Sequence, residues 1–123
     1  MLNILIIDDE RPARERLLRM LEPMEDYQVI GEAFNGAEAI EKIHELSPDI
    51  LLLDISMPGM DGMELAHSLR KAGVEPAVIF CTAYQERALE AFDVEAVDYL
   101  VKPVRAERLE IALQKAGKRF DLQ

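Results

Sequence analysis

The chain has 123 residues, half of them hydrophobic and 31% charged, enough apolar material for one packed core of ordinary domain size and too much for a disordered chain. Twenty-four acidic residues against fourteen basic ones give a formal net charge of -10; such a surface repels a phosphate backbone, argues against direct nucleic-acid binding, and favours cations and basic partner surfaces. The apolar start Met1 to Ile7 runs straight into Asp8-Asp9-Glu10 without a basic leader and falls far short of the ~18 residues of a membrane span, so a cytoplasmic location is expected and no membrane association. The single Cys81, inside the apolar run Ala77 to Cys81, is expected as a buried, inert thiol.

In chain order, Leu2 to Ile7 is predicted as a strand. Pro12 at a first helical position then opens a helix with Ala13, Leu17, Met20 and Leu21 on one side and Arg14, Glu15, Arg16 and Arg19 outside. Tyr27 to Ala33 is the second strand, and Asn35 followed by Glu38 reads as a capping box that begins helix two. Ile50 to Leu53 is the third strand, with Asp61 and Glu64 forming a similar box at the start of helix three. After a fourth strand, Ala77 to Cys81, comes a short helix at about Gln85 to Asp93. Its apolar stripe is only Ala88, Leu89 and Phe92, so it is expected to be marginal and mobile. Val97 to Val101 is the fifth strand. Helix five runs from about Arg105 with Leu109, Ala112, Leu113 and Ala116 on one face, and Gly117 is expected to end it. Most strand runs are continuously apolar, as strands covered on both faces must be. The alternation predicts one domain over residues 1–123: an α/β fold with a doubly wound parallel sheet and helices on both faces.

In such a sheet, ligands bind beyond the carboxyl ends of the strands. Asp8 and Asp9 follow strand one, Asp54 strand three, Thr82 strand four and Lys102 strand five. Carboxylates gathered this closely repel one another unless a cation joins them. Mg²⁺ suits the place, because it takes one or two carboxylates together with waters and phosphate oxygens. A carboxylate nucleophile facing a phosphoryl group also needs opposing positive charge, which Mg²⁺ and Lys102 supply, while Thr82 offers a hydrogen bond to a phosphoryl oxygen and the Ser56 backbone carbonyl completes the metal shell. Taken singly, these residues have ordinary readings. Asp8 and Asp9 would cap helix one, Asp54 would form a turn, Thr82 would be a strand-end hydroxyl, and Lys102 a solvated charge. Joint placement is what points to phosphoryl transfer.

The motifs Ile4-Leu5-Ile6-Ile7-Asp8-Asp9-Glu10, Asp49 to Gly62 around Asp54, Thr82-Ala83 and Asp98-Tyr99-Leu100-Val101-Lys102-Pro103 together resemble the receiver domain of bacterial two-component response regulators, over nearly the full chain. The resemblance implies a flavodoxin-like (βα)₅ fold of strand order 2-1-3-4-5. It makes Asp54 the phosphoacceptor from a sensor histidine kinase, with Asp9 binding Mg²⁺ directly and Asp8 through water. Thr82 and Lys102 would contact the phosphoryl group, Tyr99 would be the switch aromatic that follows Thr82, and Lys102-Pro103 would be a cis peptide. Ser56 and Tyr84, two residues after Asp54 and Thr82, are expected to tune phosphate lifetime. The domain would be a signalling switch with autocatalytic phosphoryl acceptance and slow self-hydrolysis, not a conventional enzyme.

A narrower resemblance, in Phe80 to Tyr84, Ala88 to Phe92 and Val97 to Val104, is to the receivers of LytTR-type (AlgR/LytR-like) transcription regulators. It implies control of a DNA-binding output domain beyond Gln123, and DNA contact only through it. A homodimer through helix four, strand five and helix five is expected, with Leu89, Phe92, Val94 and Val97 available either for that contact or for the core. Two other functions compete. A flavin or nucleotide module would need a glycine-rich loop where Asp8-Asp9-Glu10 stands. A metal-dependent phosphatase would carry a second aspartate where Ser56 stands.

Overall fold

A computed structural model describes residues 1–121. The elements run β1 (Leu2–Ile7), α1 (Arg11–Leu21), β2 (Tyr27–Ala33), α2 (Gly36–Leu46), β3 (Ile50–Leu53), α3 (Gly62–Lys71), β4 (Ala77–Thr82), α4 (Ala88–Asp93), β5 (Asp98–Val101) and α5 (Ala106–Asp121). All strand pairings are parallel, in the order β2-β1-β3-β4-β5. This is the flavodoxin-like (βα)₅ arrangement.

Side chains along a strand alternate between faces, and the core divides accordingly. Leu5, Ile7, Leu51, Leu53 and Phe80 face a cluster completed by Ala39 and Ile43 of α2, Met63 and Leu65 of α3 and Ala91 of α4. Ile4, Ile6, Ile50, Leu52, Ile79 and Cys81 face the other, completed by Leu17 and Leu21 of α1 and Leu109, Ala112 and Leu113 of α5. Every residue of β3 and β4 is buried, because helices cover both faces. Cys81 lies in this interior, and burial pushes its thiol up to about 12, which leaves it protonated and unreactive.

Four boundaries depart from the sequence reading. The fourth helix begins at Ala88, and Gln85 to Arg87 lie outside it. Its stripe does not pack: Leu89 and Phe92 are 84% and 81% exposed, and Ala91 with Val94 makes the buried contact. The helix is therefore rotated from the expected phase and docks through a small side chain. Val97 is half-buried against the core and precedes β5, whereas β4 extends one residue further, to Thr82. Gly117 does not end α5. It is not among the glycines with positive φ, and a Cβ there would meet only Leu2 at 3.7 Å, so the helix runs through it at a cost of about 1 kcal/mol. Asn35 caps α2 by accepting from the Glu38 amide, but the Glu38 side chain accepts from Phe34 rather than Asn35. The reciprocal box is complete only at Asp61 and Glu64.

Asp98 fastens β5 to α5. It accepts two 2.8 Å hydrogen bonds from Arg108, one of 3.1 Å from Lys115 and one from the Tyr99 amide. Burial acts to raise its carboxyl, and these partners outweigh that and lower it to about 2. A depressed folded value stabilises above the unfolded value of 3.8 and is lost as pH falls through the folded one. Arg108 and Lys115 are nearly half exposed, so solvent screening reduces the effect. Asp98→Asn is expected to cost about 1 kcal/mol at neutral pH, with the gap closing as pH falls towards 2. Urea unfolding across that range checks it, and a gap independent of pH would refute the assignment.

Candidate functional site

Strand order reverses between β1 and its two neighbours, and the crevice of an open α/β sheet forms at such a point. Backbone hydrogen bonds carry the strands past their last core residue into it. The Asp8 amide donates to Ala33 at 3.0 Å, the Asp54 amide to Ile7 at 2.9 Å, and the Lys102 amide to Thr82 at 2.8 Å. Asp8, Asp54, Thr82 and Lys102 therefore meet at one edge, and the first three are buried at 2%, 4% and 0% exposure.

Lys102 joins the two buried carboxylates. Its Nζ donates to Asp8 Oδ2 at 2.9 Å and to Asp54 Oδ2 at 3.2 Å. Burial, and after it the Asp8 charge, pushes the Asp54 carboxyl up from its ordinary value, and Lys102 opposes the shift. For Lys102 itself burial acts downward, and the hydrogen bond to Asp8 with the charge of Asp54 more than reverses it, so the ammonium is held above its ordinary value. The Ser56 amide donates to Asp54 Oδ1 at 3.3 Å, while the Ser56 side chain lies in an exposed residue. Lys102-Pro103 is cis.

Asp8 does not cap α1. The cap position is Glu10, which makes no side-chain cap bond, and Asp8 Oδ1 instead accepts from the Glu10 amide at 2.9 Å. This turn brings carboxylate oxygens of Asp8, Asp9 and Glu10 within 4.8 Å of one another. An all-oxygen anionic set of this kind fits a hard divalent cation such as Mg²⁺. Glu10 had no place in the sequence-predicted ligand set, although its adjacency to Asp9 was the available signal. Asp54 is linked to the group through Lys102 and Asp8.

Arg14 is the second residue the sequence misplaced. Predicted on the solvent side of helix one, its side chain is only 15% exposed and turns into the site: Nη1 donates to the Asp8 carbonyl at 2.8 Å and Nε to Glu32 at 3.1 Å. Sequence spacing gives the face of a helix but not the reach of a long side chain around it.

At the end of β4, Thr82 Oγ1 accepts from the Tyr84 amide at 3.3 Å, and the Tyr99 hydroxyl donates to the Tyr84 carbonyl. The Tyr99 ring packs 6.0 Å from that of Phe80. One residue, Tyr84, thus connects the buried hydroxyl to the aromatic on β5.

Among the described residues, no helix is long and apolar enough to cross a membrane. The response regulator receiver domain family matches residues 4–114. The positive alginate biosynthesis regulatory protein of Pseudomonas aeruginosa is 55% identical over 118 residues, covering 95% of this chain and 48% of that protein. The sensory transduction protein LytT of Bacillus cereus is 41% identical over 123 residues, covering 100% and 50%. The chain spans about half the length of the curated relatives it matches. Among solved structures, the response regulatory domain of protein mrkE from Klebsiella pneumoniae superposes with a TM-score of 0.89 at 30% identity, covering 98% of this chain and 99% of that one. With its sheet order, its strand-end carboxylates and its bridging lysine, the chain belongs to the response regulator receiver domain family of two-component systems, and its sequence matches the receivers of LytTR-type regulators.

Proposed function

We propose that Asp54 accepts a phosphoryl group from the phosphohistidine of a sensor histidine kinase, and that the resulting charge change is read out at the α4, β5 and α5 face. The observation that carries this is the Lys102 ammonium shared by two buried carboxylates. An Asp54 oxygen attacks phosphorus, the O–P bond forms as the P–N bond to histidine breaks, and the imidazole nitrogen keeps the electron pair. Lys102 offsets negative charge on the transferring group, and Thr82 donates its hydroxyl to a phosphoryl oxygen. Asp9, Glu10 and the Ser56 carbonyl, with Asp8 through water and Asp54, would hold Mg²⁺, which when bound supplies further positive charge beside the phosphoryl oxygens. Ser56 and Tyr84 border the site and would set the lifetime of the aspartyl phosphate.

The readout follows from the contacts of Tyr84. A Thr82 hydroxyl drawn to phosphate releases the Tyr84 amide, whose carbonyl holds the Tyr99 hydroxyl. Tyr99→Phe removes that hydrogen bond, worth about 1 kcal/mol. The variant is expected to accept phosphate as the parent does while the α4 segment responds less, as read by hydrogen exchange. An unchanged α4 response would remove Tyr99 from the switch. Leu89 and Phe92, both exposed, support a homodimer through this face, whereas Val94 is committed to the core.

Residues 1–123 form one receiver domain in this reading, the N-terminal part of a cytoplasmic transcription regulator with a DNA-binding output domain. Relatives of twice the length support it. The phosphatase alternative is disfavoured by Ser56 at the position of its second aspartate. Acetyl phosphate with MgCl₂ should add one phosphoryl group to the protein by intact mass, and chelation of the metal should prevent it. No mass gain, or an equal gain without metal, would defeat the proposal.

A further inference from the structure

Asp8 is held at four points. Its amide donates to Ala33, its two carboxylate oxygens accept from the Glu10 amide and from Lys102, and its carbonyl accepts from Arg14. The first three fix the end of β1 and the Asp8 side chain. The fourth is different, because the Asp8 carbonyl belongs to the peptide that leads to Asp9, and rotation of that peptide would swing the exposed Asp9 carboxylate away from Asp8. Arg14 reaches this oxygen from α1, and its Nε is anchored on Glu32 of β2, whose own carbonyl accepts from Lys42 Nζ at 2.6 Å. A planar guanidinium with both ends engaged has little freedom.

We propose that Arg14 is a positioning residue for the cation-binding carboxylates, setting the Asp8–Asp9 peptide so that Asp9 and Asp8 face the same point. This rests on the Mg²⁺ site proposed above. Its sign separates it from the alternatives. As a mere charge beside the pocket, Arg14 would repel a divalent cation, so its removal would tighten binding. As a mere brace between α1 and β2, its removal would lower stability and leave binding unchanged. As a positioning group, its removal loosens binding although a repelling charge has gone.

The test is calorimetric titration of the parent, Arg14→Ala and Arg14→Lys with MgCl₂, with thermal melts alongside. Arg14→Lys keeps the charge and a single donor group, so it also serves should the alanine variant fold poorly. Both variants are expected to bind Mg²⁺ roughly tenfold more weakly, as losses of partners that orient metal ligands commonly do. The Asp9 amide resonance should move in Arg14→Lys before any metal is added. Unchanged affinity in both variants overturns the proposal, as does tighter binding by Arg14→Ala. A parent that binds no Mg²⁺ defeats the underlying metal reading instead, a separately visible result.

Discussion

Asp54→Asn should reduce phosphoryl uptake from acetyl phosphate to background while leaving the fold at least as stable as the parent. The amide is uncharged and its oxygen is a poor nucleophile, so the attacking group of the proposed reaction disappears. Stability follows the opposite course. Asp54 and Asp8 are both buried, they repel each other, and one ammonium serves both. Removing one of two buried like charges leaves Lys102 paired with Asp8 alone and relieves the desolvation that burdens the Asp54 carboxylate. Intact-mass measurement and a thermal melt on the same sample decide the matter. Uptake that persists in the variant would move the acceptor elsewhere. Loss of uptake together with unfolding would mean that Asp54 holds the site together rather than reacting in it.

The limits of the sequence reading have physical causes. Strand β3 was legible to the residue because a parallel strand covered on both faces must be apolar throughout, a pattern with sharp ends, and β1 shares that pattern over its buried half, Ile4 to Ile7. Their first polar neighbours, Asp8 and Asp54, were legible for the same reason, since a charge directly after a buried strand must lie at the sheet edge. Helix α4 was not, because a six-residue helix holds no full repeat of an apolar stripe. The visible large residues, Leu89 and Phe92, turned out to be the exposed ones. Glu10 and Arg14 escaped because their roles depend on where a turn points a carboxylate and how far a guanidinium reaches, neither of which follows from periodicity. The linkage of Thr82 to Tyr99 through the Tyr84 backbone was hidden more deeply, since backbone groups carry no sequence signature.

Gly62→Ala should be the most damaging small substitution in the β3–α3 region. Gly62 is the first residue of α3, and its amide donates to the Ile55 carbonyl at 2.8 Å, pulling the helix start against the end of β3. A Cβ there would lie 2.0 Å from the Asp54 carbonyl oxygen, 2.8 Å from its carbon and 2.9 Å from the Ile55 Cα. All three are backbone atoms, and non-bonded carbon contacts need about 3.5 Å, so α3 or the Asp54–Ile55 segment must shift by roughly 1 Å or more. The shift is resisted by the capping box of Asp61 and Glu64 on one side and by the Asp54 amide bond to Ile7 on the other. A cost of at least about 3 kcal/mol is expected, at the upper end for overpacking, or a fall in melting temperature on the order of 10 °C. Gly59 provides the control. Its φ of 75° is left-handed but nothing lies within 4 Å of its Cβ position, so Gly59→Ala carries only backbone strain, about 1–2 kcal/mol. A Gly62→Ala melt no lower than that of Gly59→Ala would show that the segment yields, and that Asp54 is not held by close contact with α3. If the contact is rigid, the same variant, where it still folds, displaces the Asp54 backbone and slows phosphoryl uptake as well, an effect Gly59→Ala should lack.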